Sequence, residues 1–242
     1  MQPVAVVSAT AYWTSVVLVL AICVGLCVVA LRRPGPWTGA VVRVIGLGLA
    51  ADAVTYTVAE VRQGTWSASS SLPLALCNVA VLVAAVACWW PVPVLVELTW
   101  FWGMAGTLQG LLTPDLDVGF PHLVFFEYVV GHAGIVVAAL FLVVGLRNWP
   151  KPGAVWRVLA ISVAWTAVVG VADALTGGDY MFLRRRPGEW TLLSVLGPWP
   201  WYLAGATAMA LVLFGLLYAP FWLARRRGPD PVHVRRGVDA VA

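Results

Sequence analysis

Apolar residues in this chain come in long runs separated by short polar joints. Runs at about 11–31, 40–61, 72–90, 92–112, 121–145, 155–175 and 200–224 each reach the roughly 20 residues a helix needs to cross a hydrocarbon core. The joints between them read as breakers: RRPGPWTG, RQGTWSASSS, WWPVP, TPDLDVGF, RNWPKPG and TGGDYMFLRRRPGEW. Pro91 and Pro93 leave the third and fourth runs almost touching, which predicts a tight hairpin. No internal repeat and no low-complexity stretch interrupts the series. The pattern predicts an all-α, polytopic membrane protein with about seven transmembrane helices.

Composition agrees. The chain is 61% hydrophobic and 11% charged, with a mean hydropathy of +0.88. Soluble domains carry roughly 25% charged residues, so too little polar side chain is present here to cover a water-facing surface. We expect one transmembrane domain over residues 1–224 and a basic, disordered tail over 225–242 that includes His233. The first run has neither a basic segment before it nor a small-x-small site after it, so it reads as a retained span.

The net charge of +4 raises the question of nucleic acid, and its distribution answers against it. Basic residues gather at the ends of the apolar runs, where they orient a membrane protein. With seven spans and the N-terminus outside, the inner face holds Arg32, Arg33, Arg43, Arg147, Lys151, Arg157, Arg225–Arg227, Arg235 and Arg236. The outer face holds only Arg62 and Arg184–Arg186. The C-terminus is then inside, the location a cell membrane, and the expected partners membrane phospholipids. Arg184 and Arg185 run against the rule, which fits either a grip on lipid phosphate or a solvated loop. Trp37, Trp66, Trp149, Trp190 and Trp199 at run ends read as an aromatic belt.

Ionisable groups inside spans are costly and therefore candidate site residues. Asp52, His132 and the polar Gln109 lie within runs. Glu60, Glu97, Glu127 and Asp173 lie nearer run ends and are expected to snorkel. Counted at about 1.5 Å per residue, His132 is roughly 16 Å below Pro121, Asp52 roughly 14 Å from the same side, and Cys77 about 9 Å below Ser71. Tyr128 lies one turn from His132, placed to line the same cavity. Gly103, Gly106, Gly110, Gly131 and Gly134 read as close-packing positions. Cys23, Cys27, Cys77 and Cys88 all lie in apolar runs. They form no CxxC and no Cys/His metal spacing, and no cofactor motif is present.

The stretches LPLALCN, LTPDL…FPHLVFFEYVVGHAGIV, DYMFLRRRP and LGPWPWY, in this order, resemble the YwaF-type bacterial integral membrane proteins, of the same broad family as transmembrane protein 164. The likeness covers roughly residues 40–222. It implies an all-helical membrane fold with a cysteine and a histidine facing one cavity. The animal member is regarded as a phospholipid acyltransferase whose cysteine carries a fatty acyl group. A more distant group, the androgen-induced fatty-ester hydrolases, uses a threonine and a histidine in a similar way. Carried over, the cysteine is Cys77 and the histidine His132. This chain departs from the pattern at Asp179, where asparagine is expected, and Asp179 is placed to pair with the arginines after it.

The implied chemistry is acyl transfer from a membrane lipid, or lipid-ester hydrolysis, with Cys77 as nucleophile and His132 as its base. Asn78 or Gln109 would donate to the oxyanion, and Asp52 would orient the histidine ring. Two other readings stay open. Free cysteines in apolar runs often serve as inert core residues, and intramembrane histidines often only bond a neighbouring helix. Asp52, Glu127 and His132 would alternatively form a proton or substrate path in a binding or transport protein.

Overall fold

The computed structural model describes residues 9–114, 116, 119–185 and 195–227. Their regular secondary structure is helical throughout, with no strand among them. Helices α1 (Ala9–Arg32), α2 (Trp37–Gln63), α3 (Leu76–Trp89) and α4 (Pro93–Phe101) come first. A π turn, Trp102–Thr107, carries α4 directly into α5 (Leu108–Leu112). α6 (Leu123–Leu140) ends in a second π turn, Phe141–Gly145, and α7 (Ala154–Thr176) and α8 (Trp201–Arg227) complete the set. α1, α2, α6 with its π turn, α7 and α8 are each long and apolar enough to cross a membrane. α3, at 14 residues, is shorter.

The breakers act where the sequence places them. Gly64 and Gly177 close α2 and α7 at φ 68° and 76°, the left-handed conformation that glycine adopts without strain. Pro93 opens α4 at its first position, where a missing N–H costs nothing.

α6 is the hub, packing on α1, α2, α3, α4 and α5, while α7 and α8 pair on the far side of the α4–α5 rod. Lipid tails are as apolar as the helices, so association rests on close approach and internal hydrogen bonds. Ala80, Ala84 and Ala87 of α3 are fully buried. The Tyr12 hydroxyl donates to the Leu111 carbonyl at 2.7 Å, tying α1 to α5. The Trp102 indole N–H donates to Ser162 Oγ at 2.8 Å, tying the π turn to α7.

Three expectations are corrected. Glu97 and Asp173 do not snorkel: each is 1% exposed. Glu97 takes both Nε and Nη2 of Arg157 at 2.8 Å and the Lys151 backbone N–H at 3.0 Å, which neutralises a charge that lipid would otherwise penalise. α3 starts at Leu76 and not near residue 72, because residues 72–75 form a turn held by side chains from elsewhere. α8 runs on through Arg225–Arg227, so the tail's first residues are helical, with Arg226 stacked 3.7 Å over Trp222. His233 and the remainder of the tail lie outside the described residues.

Candidate functional site

The LPL turn is built by three long-range hydrogen bonds. The Tyr180 hydroxyl accepts from the Leu72 N–H at 2.9 Å and donates to the Ala68 carbonyl at 3.1 Å. The Trp165 indole donates to the Leu74 carbonyl at 3.2 Å. Tyr180 is itself fixed: its N–H donates to buried Asp173 at 2.8 Å. The two residues after it, Met181 and Phe182, have φ of 57° and 55°, a conformation non-glycine residues rarely hold. They stay there because Tyr202 donates to the Phe182 carbonyl and Trp199 to the Leu183 carbonyl. Thus the DYMFL and LGPWPWY stretches are fasteners that hold the turn before α3.

That turn makes Cys77 the second residue of α3. Ala75 caps the helix without a side-chain hydrogen bond, so the first-turn N–H groups, including those of Cys77 and Asn78, have no intrahelical acceptor. The Thr107 side chain, from the π turn, stands against the Cys77 thiol.

Cys77 and Asn78 form one wall of a cavity of about 430 Å³. Asp52 and Tyr56 line it from α2, and Glu127, Tyr128, Gly131 and His132 from α6. Among the described residues, neither Lys nor Arg lines it. The His132 ring stacks on Tyr128, with centroids 4.0 Å apart and planes at 19°. Its Nδ1 lies 3.0 Å from the Tyr128 carbonyl. A carbonyl only accepts, so Nδ1 carries the proton, and in the neutral ring Nε2 keeps its lone pair. Gly110 of α5 gives Nε2 room: a β-carbon there would sit 3.4 Å from Nε2 and 3.1 Å from Cδ2. The Tyr128 hydroxyl donates to the Gly110 carbonyl at 2.7 Å, locking the stack to α5. Gly131 serves Asp52 likewise, since a β-carbon there would meet Oδ2 at 2.9 Å.

A family model, the TMEM164 family, matches residues 6–218. The chain belongs to the TMEM164 family. No curated protein and no solved structure matches it. In this TMEM164-family chain the structure brings Cys77, Asn78, Asp52, Tyr128 and His132 to one cavity and leaves three expected residues out. Gln109 turns its amide onto the Ala105 carbonyl at 2.7 Å and lines a different cavity. Arg185 is largely exposed and pairs with Asp179 at 3.3 Å. Arg184 donates from its side chain to the Gly178 carbonyl at 3.3 Å. Arg186 lies outside the described residues.

Two roles are also reassigned. The ring of His132 is oriented by the Tyr128 carbonyl and not by Asp52, because an intrahelical acceptor is already in place one turn away. Glu127 faces the cavity and not the lipid. Sequence reasoning missed Tyr56, Thr107 and Tyr180; Gly110, expected as a close-packing position, is one, against the His132 ring. Tyr56 was detectable one helical turn beyond Asp52, and Tyr180 lay inside a quoted stretch. Thr107 gave no signal.

Proposed function

We propose that this chain is a lipid acyltransferase that works through an acyl-Cys77 thioester. The observation that carries the reading is that Cys77, at the uncapped first turn of α3, lines one cavity with His132, whose Nε2 is left as a base.

In the first step Nε2 takes the thiol proton. The sulfur attacks the ester carbonyl of a phospholipid, and the oxygen of that carbonyl gains negative charge. The N–H groups at the start of α3 stabilise this charge, the task the sequence assigned to the Asn78 and Gln109 side chains. The carbon–oxygen bond to glycerol breaks, Nε2–H returns its proton to the departing oxygen, and a lysolipid leaves. In the second step Nε2 takes the proton of an acceptor hydroxyl, whose oxygen attacks the thioester. The carbon–sulfur bond breaks and the thiolate recovers the proton. Water as acceptor makes the same cycle a hydrolase.

The proposal extends to the setting: a YwaF-type protein of seven spans in the cell membrane, N-terminus outside, with membrane phospholipids as partners. α3 begins just after a serine-rich stretch (Ser67, Ser69, Ser70, Ser71), and on this reading that stretch lies at the membrane surface with the thiol near the depth of lipid ester bonds.

The test is to incubate the purified chain in vesicles with acyl-labelled phospholipids, quench in acid, and map the Cys77 peptide by mass spectrometry. An acyl thioester on Cys77, absent in Cys77→Ala and strongly reduced in His132→Ala, is expected. No adduct across a broad lipid panel, with lipid profiles unchanged, would falsify the proposal and favour a binding or transport role.

A further inference from the structure

A second cavity, of about 280 Å³, lies between the α4–α5 rod, α7 and α8. Its lining is mostly apolar, with Phe101, Met181, Ala206, Ala210 and Leu213 among its residues. Three of the polar side chains among them have their donors taken up within their own helical runs. Ser162 donates to the Val158 carbonyl and accepts from the Trp102 indole, both at 2.8 Å. Thr166 donates to the Ser162 carbonyl at 2.9 Å and Gln109 to the Ala105 carbonyl at 2.7 Å. With those donors bonded internally, the surface presented to an occupant is mostly hydrocarbon. Val163 and Thr207 line it and are exposed, so it opens to the surroundings between α7 and α8.

This slot reaches the residue next to Cys77. Leu76 lines it, and Leu76 Cδ2 lies against Gly106 of the π turn, where a β-carbon would meet it at 3.0 Å. Leu76 faces the apolar slot and Cys77 the polar cavity, so the start of α3 is the wall between them. A phospholipid ester has the same layout. Its carbonyl joins a polar glycerol and headgroup on one side to a hydrocarbon chain on the other.

We infer that the slot between α4–α5, α7 and α8 holds the acyl chain of the lipid whose ester Cys77 attacks, with Leu76 and Gly106 as its entrance and Ala206 and Ala210 setting the chain length it accepts. The inference rests on the acyltransferase reading for the step at Cys77 but not for the binding of a chain.

The experiment has two readouts on the full chain in vesicles. A phosphatidylcholine carrying a diazirine at the end of its sn-2 chain is photolysed with the protein, and the labelled peptides are mapped. Label is expected on slot residues of α8 such as Met209 and Leu213, and is lost in Ala210→Phe. In parallel, butanoyl and oleoyl phospholipids compete for Cys77. Ala210→Phe is expected to lower the oleoyl-to-butanoyl adduct ratio by about tenfold or more, whereas Leu76→Ala keeps or raises it. Destabilisation alone lowers both adducts in proportion and leaves their ratio unchanged. Label spread evenly over the lipid-facing residues of α7 and α8, with the ratio unchanged in Ala210→Phe, overturns the inference. Label confined to the slot with no thioester on Cys77 from any lipid leaves the chain site standing and removes the acyltransferase reading.

Discussion

The two cavities share the first turn of α3 as a wall and differ in how they treat polar groups. On the Cys77 side, carboxylates, a phenol and an imidazole face inward from α2 and α6. On the Leu76 side, Ser162, Thr166 and Gln109 are present, but each donates to a carbonyl within its own helical run. What separates the two regions is how much polar side chain remains for the cavity once the nearby backbone acceptors are used. Ser162, Thr166 and Gln109 give their donors to the carbonyl four residues back, whereas Tyr56 and Glu127 line the space between helices and His132 gives only Nδ1 to such a carbonyl, leaving Nε2 for the cavity.

Substitutions rank by how directly they break this division. Cys77→Ala should abolish acyl transfer while leaving the fold intact, as read by an absent thioester and unchanged circular dichroism. His132→Ala should lower the rate of thioester formation by about two to four orders of magnitude, the range for losing a positioned base. That loss is measured by quenched-flow mass spectrometry, and a loss below about threefold would remove His132 from the chemistry. Tyr180→Phe keeps the ring but leaves the Leu72 N–H and the Ala68 carbonyl without their partner. It should cost about 1–3 kcal/mol and speed alkylation of Cys77 by a membrane-permeant maleimide as the turn loosens. Gly110→Ala places a β-carbon 3.1 Å from the His132 ring, so it should slow thioester formation more than it lowers the melting temperature. Arg185→Ala removes an exposed pair and should change neither activity nor stability measurably, whatever the headgroup charge.

The helices were legible because each apolar run ends at a glycine, a proline or a polar cluster, and those residues act locally. The start of α3 was not. Helical counting from Ser71 put Cys77 inside a span, whereas residues 72–75 are held out of the helix by Tyr180 and Trp165, about a hundred positions away in sequence. No window over the LPL turn contains that information. His132 was legible as an intramembrane titratable group, and Tyr128 as its neighbour one turn back. The partner that sets its tautomer was not, because it is a backbone carbonyl. Gln109 misled for a related reason: its side chain prefers the nearest carbonyl to a distant cavity.

The π turn at Trp102–Thr107 has a further consequence, one of phase. A π turn is an α-helix with one residue too many, so every residue after it is indexed one step late. Each residue of an α-helix advances the direction of its side chain by about 100°. Deleting one residue from this segment would therefore swing Gln109, Gly110 and Leu111 about 100° around the rod. Gly110 would leave His132, and the Leu111 carbonyl would leave Tyr12. The surplus residue acts as a phase plate: it keeps the first half of the rod in register with α7 and the second half in register with α1 and α6.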